Sequence, residues 1–207
     1  MKLLIFGLIA LLCSAGSQEL ISDAATRPSV QVPATRPVTQ AAAAGLRYRL
    51  VDGHESWDPE IKRRVVEAMD AAVAVYNAHG SFDRELTVNY HPGVPTAEAN
   101  YDGRITFGKQ IGRRTALHEI GHTMGVGTTR QWRANLKEGV WQGKTATSLV
   151  QAFDGPAAVL KGDRMHFWPY GLNFENETSP VNEIRHVKLV IALRRDMALN
   201  DGFEKPQ

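Results

Sequence analysis

Two histidines with three residues between them, His118 and His122, with Glu119 directly after the first, restrict the segment 115–127, TALHEIGHTMGVG, more than any other feature restricts the chain. On an α-helix, positions four apart differ by only ~40° in azimuth and ~6 Å in height. Both imidazoles then point the same way and can share one tetrahedral metal ion. Glu119 is offset by one position, which carries its carboxylate past the imidazoles toward the open coordination position, where a general base belongs. Ala116, Leu117, Ile120 and Met124 supply an apolar opposite face. Neutral imidazoles leave a bound zinc ion its positive charge, which acidifies water and polarises a carbonyl. One helix thus offers two ligands, and a third must come from elsewhere to reach the usual catalytic count of three protein groups.

A length of 207 residues allows one domain with a real core and little room for a second. Leu46, Tyr48 and Leu50 alternate with Arg47, Arg49 and Val51, which predicts a strand over 46–51 with one buried face. Asp58 before Pro59 reads as an N-cap with proline at the first helical position. Ile61, Val65, Ala68, Met69, Ala72, Val73 and Tyr76 then recur at helical spacing up to Gly80. Strands are expected at 86–90 and, after the Asp102-Gly103 turn signal, at 104–107. Beyond Gly127 the period fades, with short helices expected near 145–153 and 156–161. Ser179 and Pro180 open a last helix through Val181, Ile184, Val187, Val190, Ile191 and Met197. The expected class is α+β: a small mixed sheet, a long packing helix, the motif helix and a C-terminal helix.

At the N-terminus, Lys2 precedes an apolar run over 3–12, followed by Ser14, Ala15, Gly16 and Ser17, which reads as a signal peptide over 1–17. The run is too short for a stable bilayer span, and nothing later approaches the ~20 apolar residues such a span needs. A secreted or periplasmic product is expected. The only cysteine, Cys13, offers a second outcome, a lipoprotein acylated at that residue; membrane attachment would come by this route alone. Segment 18–45 is poor in large apolar side chains and contains ATRP twice, from Ala25 and from Ala34, as a low-complexity tether would. The folded domain is expected over 46–207. A net charge of +2 with no sustained basic stripe gives no reason to expect a nucleic-acid partner.

HEIGHTMGVG resembles the zincin metallopeptidases, and Gly125, three residues after His122, resembles the metzincin branch, in which that glycine lets the chain turn off the helix. YDGRITFG, 101–108, is similar to the edge strand that runs over the active-site helix in such enzymes. The resemblance covers about 46–127 and implies a zincin-like fold, a Zn2+ cofactor, Glu119 as catalytic base and a peptide or protein substrate. One position departs: metzincins place a third histidine three residues after the glycine, and Thr128 stands there, a poor zinc ligand.

The third ligand is expected at His166, in DRMHFWPYGLNFENE, 163–177, an aperiodic stretch of the kind that carries function on loops. Asp163, Glu175 and Glu177 are the next candidates, the glutamates following the gluzincin pattern. Met165 is an analogue of the apolar floor beneath metzincin sites, and Tyr170 a candidate donor to a developing oxyanion. His54, His79, His91 and His186 sit at element ends or on a helix face and read as solvated or capping residues. Trp132, Trp141, Trp168 and Tyr170 invite a sugar-binding platform as a competing reading, although aromatics are more often core. Together these residues lead us to expect an exported zinc metalloendopeptidase that binds extended peptides along 104–107. Two further functions stay open: a non-catalytic binding module, with zinc or metal-free, and a zinc amidase acting on cell-wall or other non-protein amides.

Overall fold

Strand β1 (Leu46–Leu50) and a 3-10 turn at His54–Ser56 precede Asp58, whose side chain accepts hydrogen bonds from the N–H groups of Glu60 and Ile61. With Pro59 next, this cap starts helix α1 (Pro59–His79). Val65, Ala68, Met69, Ala72 and Tyr76 are its buried stripe, and Ile61 and Val73 flank the stripe half-buried. Strands β2 (Arg84–Tyr90), β3 (Ala97–Ala99) and β4 (Arg104–Phe107) follow. The four strands form a mixed sheet in the order β1-β2-β4-β3, parallel except for β3, which runs antiparallel to β4. Leu86, Val88, Ile105 and Phe107 on this sheet share one core with the α1 stripe and with Ala116, Leu117 and Ile120 of helix α2 (Arg113–Thr123). Burying each such leucine, valine or isoleucine contributes about 1.5–3 kcal/mol. This core fixes α2, and therefore the motif, against the sheet.

The structure is a computed structural model that describes residues 45–199, all within a unit spanning Ala42–Gln207. The expected signal peptide at 1–17, Cys13, and the expected tether apart from Gly45 lie outside the described residues. Among the described residues five α-helices and two four-stranded sheets make a mixed α+β fold, and no helix is long and apolar enough to cross a membrane. Strand 104–107 is not the sheet edge: β4 lies inside, and the edge on that side is β3, which at three residues is too short to read from the sequence.

After α2 the chain turns at Gly125 and Gly127, both at positive φ. A Cβ on Gly127 would sit 2.4 Å from the carbonyl oxygen of Met165, so this turn also admits the later loop. Helix α3 (Arg130–Ala134), strands β5 (Leu136–Lys137) and β6 (Val140–Trp141), helix α4 (Lys144–Asp154), strands β7 (Lys161–Gly162) and β8 (Phe167–Trp168) and helix α5 (Pro180–Asp196) complete the order. The four short strands form an antiparallel sheet, β5-β6-β7-β8. The helix expected at 145–153 is α4. The one expected at 156–161 does not form, because Gly155 at φ 99° turns the chain and residue 161 enters the ladder with β6 and β8. Trp132 and Trp141 are buried against each other, ring centroids 4.9 Å apart, which removes them from any exposed sugar platform.

Candidate metal centre

Helix α2 directs His118 and His122 to one side, with their Nε2 atoms 3.1 Å apart. Each ring's other nitrogen faces a backbone carbonyl: His118 Nδ1 lies 2.8 Å from Gly171 O, and His122 Nδ1 lies 2.8 Å from Val126 O. A carbonyl can only accept, so both Nδ1 atoms carry the proton and both Nε2 atoms present lone pairs. Two lone pairs at 3.1 Å repel unless a cation stands between them. A proton is a poor candidate, because burial holds His118 well below the ordinary histidine range, with the neighbouring His122 adding to the effect, and burial lowers His122 as well. Tetrahedral zinc with nitrogen ligands sets neighbouring donors roughly 3.3 Å apart. The pair fits a metal ion.

His166 joins them from the turn 163–166 between β7 and β8, its ring stacked on His118 with centroids 5.5 Å apart. The ligand atoms of His118, His122 and His166 lie within 4.8 Å of one another. Asp163 makes this turn. Its Oδ1 accepts from the N–H groups of Met165 at 2.7 Å and His166 at 2.6 Å, and its Oδ2 lies 3.4 Å from His166 Nδ1. Burial would raise the Asp163 carboxyl, but these N–H donors and the His166 ring outweigh it and hold the group below its ordinary value. Asp163 therefore stands behind His166 as an orienting partner, which would leave His166 Nε2 available to a metal ion. Glu175 pairs with Arg114 at 3.0 Å, and Glu177 accepts from the Asn173 N–H at 2.7 Å. Neither glutamate belongs to the donor cluster.

Glu119 is 5 % exposed and its Oε2 has no hydrogen-bond partner. Burial pushes its carboxyl up to about 8, against the opposing field of Arg114. An unpartnered buried carboxylate oxygen on a cleft wall signals a group whose partner is a ligand or water. The cleft encloses about 300 Å³ between β3, α2 and the 163–166 turn, and Met165 lines it beside His166. A groove of about 450 Å³ between α4 and α5 lies elsewhere and contains none of the three histidines.

Two expectations are corrected here. The Tyr170 hydroxyl is hydrogen-bonded to Asp154 and Arg185, and Tyr170 does not line the cleft, so it is not the oxyanion donor. The ring packs edge-on against Phe153, which holds it there. His186 is neither solvated nor a cap: it is 1 % exposed, its Nδ1 lies 2.8 Å from Tyr170 O and its ring stacks on Phe167. Burial lowers it to about 4. Several supporting groups escape a reading of the sequence: Arg114 bridges α2 to the loop through Leu172 O at 2.9 Å, and Gly171 and Val126 act through backbone carbonyls. Carbonyl partners have no signature in side-chain identity. Asp163, three residues before His166, did have one, the spacing of an Asx turn. Thr128, where metzincins have their third histidine, donates its hydroxyl to His122 O at 2.7 Å and stays outside the cluster.

No protein family, curated protein or solved structure matches the chain.

Proposed function

We propose that the protein is an exported zinc metalloendopeptidase of zincin type, metzincin-like at HEIGHTMG, with His118, His122 and His166 as the metal ligands. The observation that carries this reading is the pair His118 and His122, with Nδ1 facing carbonyls and Nε2 atoms 3.1 Å apart, joined by a ligand atom of His166 within 4.8 Å, next to a buried Glu119 whose Oε2 has no partner. A zinc ion held by these residues would supply Lewis acidity toward an amide carbonyl and acidify water. Positive charge beside Glu119 favours its carboxylate form, which takes the proton of the attacking water and returns it to the leaving amide nitrogen. The export part of the reading rests on the sequence of residues 1–17.

The sheet edge explains how an extended peptide would lie. Thr96 O accepts from Gly108 N, and Asn100 N donates to Arg104 O, so the even-numbered residues face β4. In an antiparallel ladder neighbours alternate, and Ala97 and Ala99 thus turn their backbone groups outward, along the cleft. A substrate strand would pair there rather than at 104–107. The test is zinc content and peptide hydrolysis of the purified protein beside Glu119→Gln. Near-stoichiometric zinc in both, with turnover about 10²–10⁴-fold lower in the variant, supports the reading. Zinc in both with no hydrolysis by either turns it toward the binding module.

A further inference from the structure

The cleft does not end at the histidines. Gln110, Arg114, Thr115 and Asn173 line both it and a second basin of about 510 Å³ that opens toward the start of α2. Four cationic side chains border this basin: Arg64, Lys109, Arg113 and Arg114. Two carboxylates stand among them, and each is already committed, Glu183 to Arg113 and Glu175 to Arg114. Arg64 is held in place by Ile111 O at 3.1 Å. The basin therefore keeps an excess of two positive charges, while Glu98 faces the neighbouring cleft with a negative one. Phe174, 62 % exposed, adds an apolar surface to the same basin.

The basin adjoins one end of β3, since Gln110 N donates to Thr96 O, directly before the first residue of that edge. A peptide added antiparallel to β3, the slightly more stable pairing, runs from Ala99 toward Thr96. Its residues on the C-terminal side of the bond to be cut then reach the basin. We propose that the basin is a specificity site for an acidic side chain of the substrate on that side, drawn in by Arg64 and Lys109 and repelled from the cleft by Glu98. This inference rests on the peptidase reading for its direction, whereas the charge preference stands on the basin itself.

The experiment uses the zinc-loaded full chain carrying Glu119→Gln and fluorescein-labelled octapeptides of alanine and serine, with one Glu or one Gln at successive positions. Anisotropy titrations should give about fivefold tighter binding for Glu than for Gln at one register, as exposed ion pairs do, and the preference should shrink with added salt. Lys109→Glu combined with Arg64→Glu should abolish or reverse it. Equal affinity for the two series, no binding of either, or a preference that survives the double reversal would overturn the proposal. Mass spectrometry of the same peptides with the wild-type chain separates the two readings. Cleavage without acidic preference keeps the peptidase and removes the basin; charge-dependent binding without cleavage keeps the basin as an acidic-peptide site and removes the peptidase.

Discussion

Between β1 and α2 the groups that reach the cleft are positioned by periodic structure: one helix sets His118, Glu119 and His122 at fixed offsets, and a sheet packed on the same core holds that helix. After Gly127 the chain reaches the same point by other means. His166 sits in a four-residue turn shaped by the Asp163 carboxylate, and Trp132 Nε1 donates to Asp163 O at 3.0 Å, anchoring the turn to the buried tryptophan pair. Arg114, on α2, reaches across to Leu172 O. The first region depends on hydrophobic burial and helix geometry, the second on individual hydrogen bonds between distant residues. A turn held by a few such bonds tolerates less change than a helix held by a core, because each bond is worth only about 0.5–1.5 kcal/mol, or more when charged.

His166→Ala tests whether the second region supplies a true ligand. Zinc affinity, read by chelator competition, should fall by more than the ~10–100-fold that an outer-shell partner commands. Unchanged affinity would leave the metal to the first region alone and break the comparison. Gly127→Ala attacks the junction, where a methyl group would meet Met165 O and φ is 71°. It should destabilise the zinc-free protein by about 1–3 kcal/mol in urea unfolding and weaken zinc binding with it. A stability loss with full zinc affinity would mean that the 163–166 turn can relax independently of the motif helix. Asp163→Asn should lower zinc affinity about tenfold while His118 and His122 stay in place, since only the orientation of His166 is loosened.

The smallest effect concerns acid stability of the second region. Burial alone would raise Asp196, but hydrogen bonds from Thr145, Trp141 Nε1 and the Ala146 N–H outweigh it and hold the carboxyl below its ordinary value. A depressed carboxyl contributes stability above its unfolded pKa of ~3.9 and loses that contribution as pH falls through the lower folded value. In urea unfolding, wild type should exceed Asp196→Asn in stability at neutral pH by less than about 1 kcal/mol, and the two should converge below about pH 4. A constant gap across pH would assign the difference to packing.

The cap at Asp58, the α1 stripe and strands β1, β2 and β4 were legible because burial on one face imposes a period that survives in one dimension. Strand β3 was not, since the three residues Ala97, Glu98 and Ala99 are too few to establish a period and owe their extended form to pairing with β4. The same reason hid the sheet 136–168, whose strands are two residues each. His186 looked solvated because its position on α5 says nothing of Tyr170 and Phe167 arriving to cover it.

For this protein the sequence alone determined the class of elements, the helix that carries two imidazoles placed to share a metal ion beside a carboxylate, and His166 as the leading third candidate. Helix geometry is local, and chemistry at offsets of one and four follows from it. Only the tertiary structure decided that His166 converges on that pair while Asp163 turns behind it, that Tyr170 points away to Arg185, and that β3 forms the rim. Those outcomes depend on which distant carbonyls and side chains come within about 3 Å, a condition that the closing of long loops creates and that no local spacing encodes.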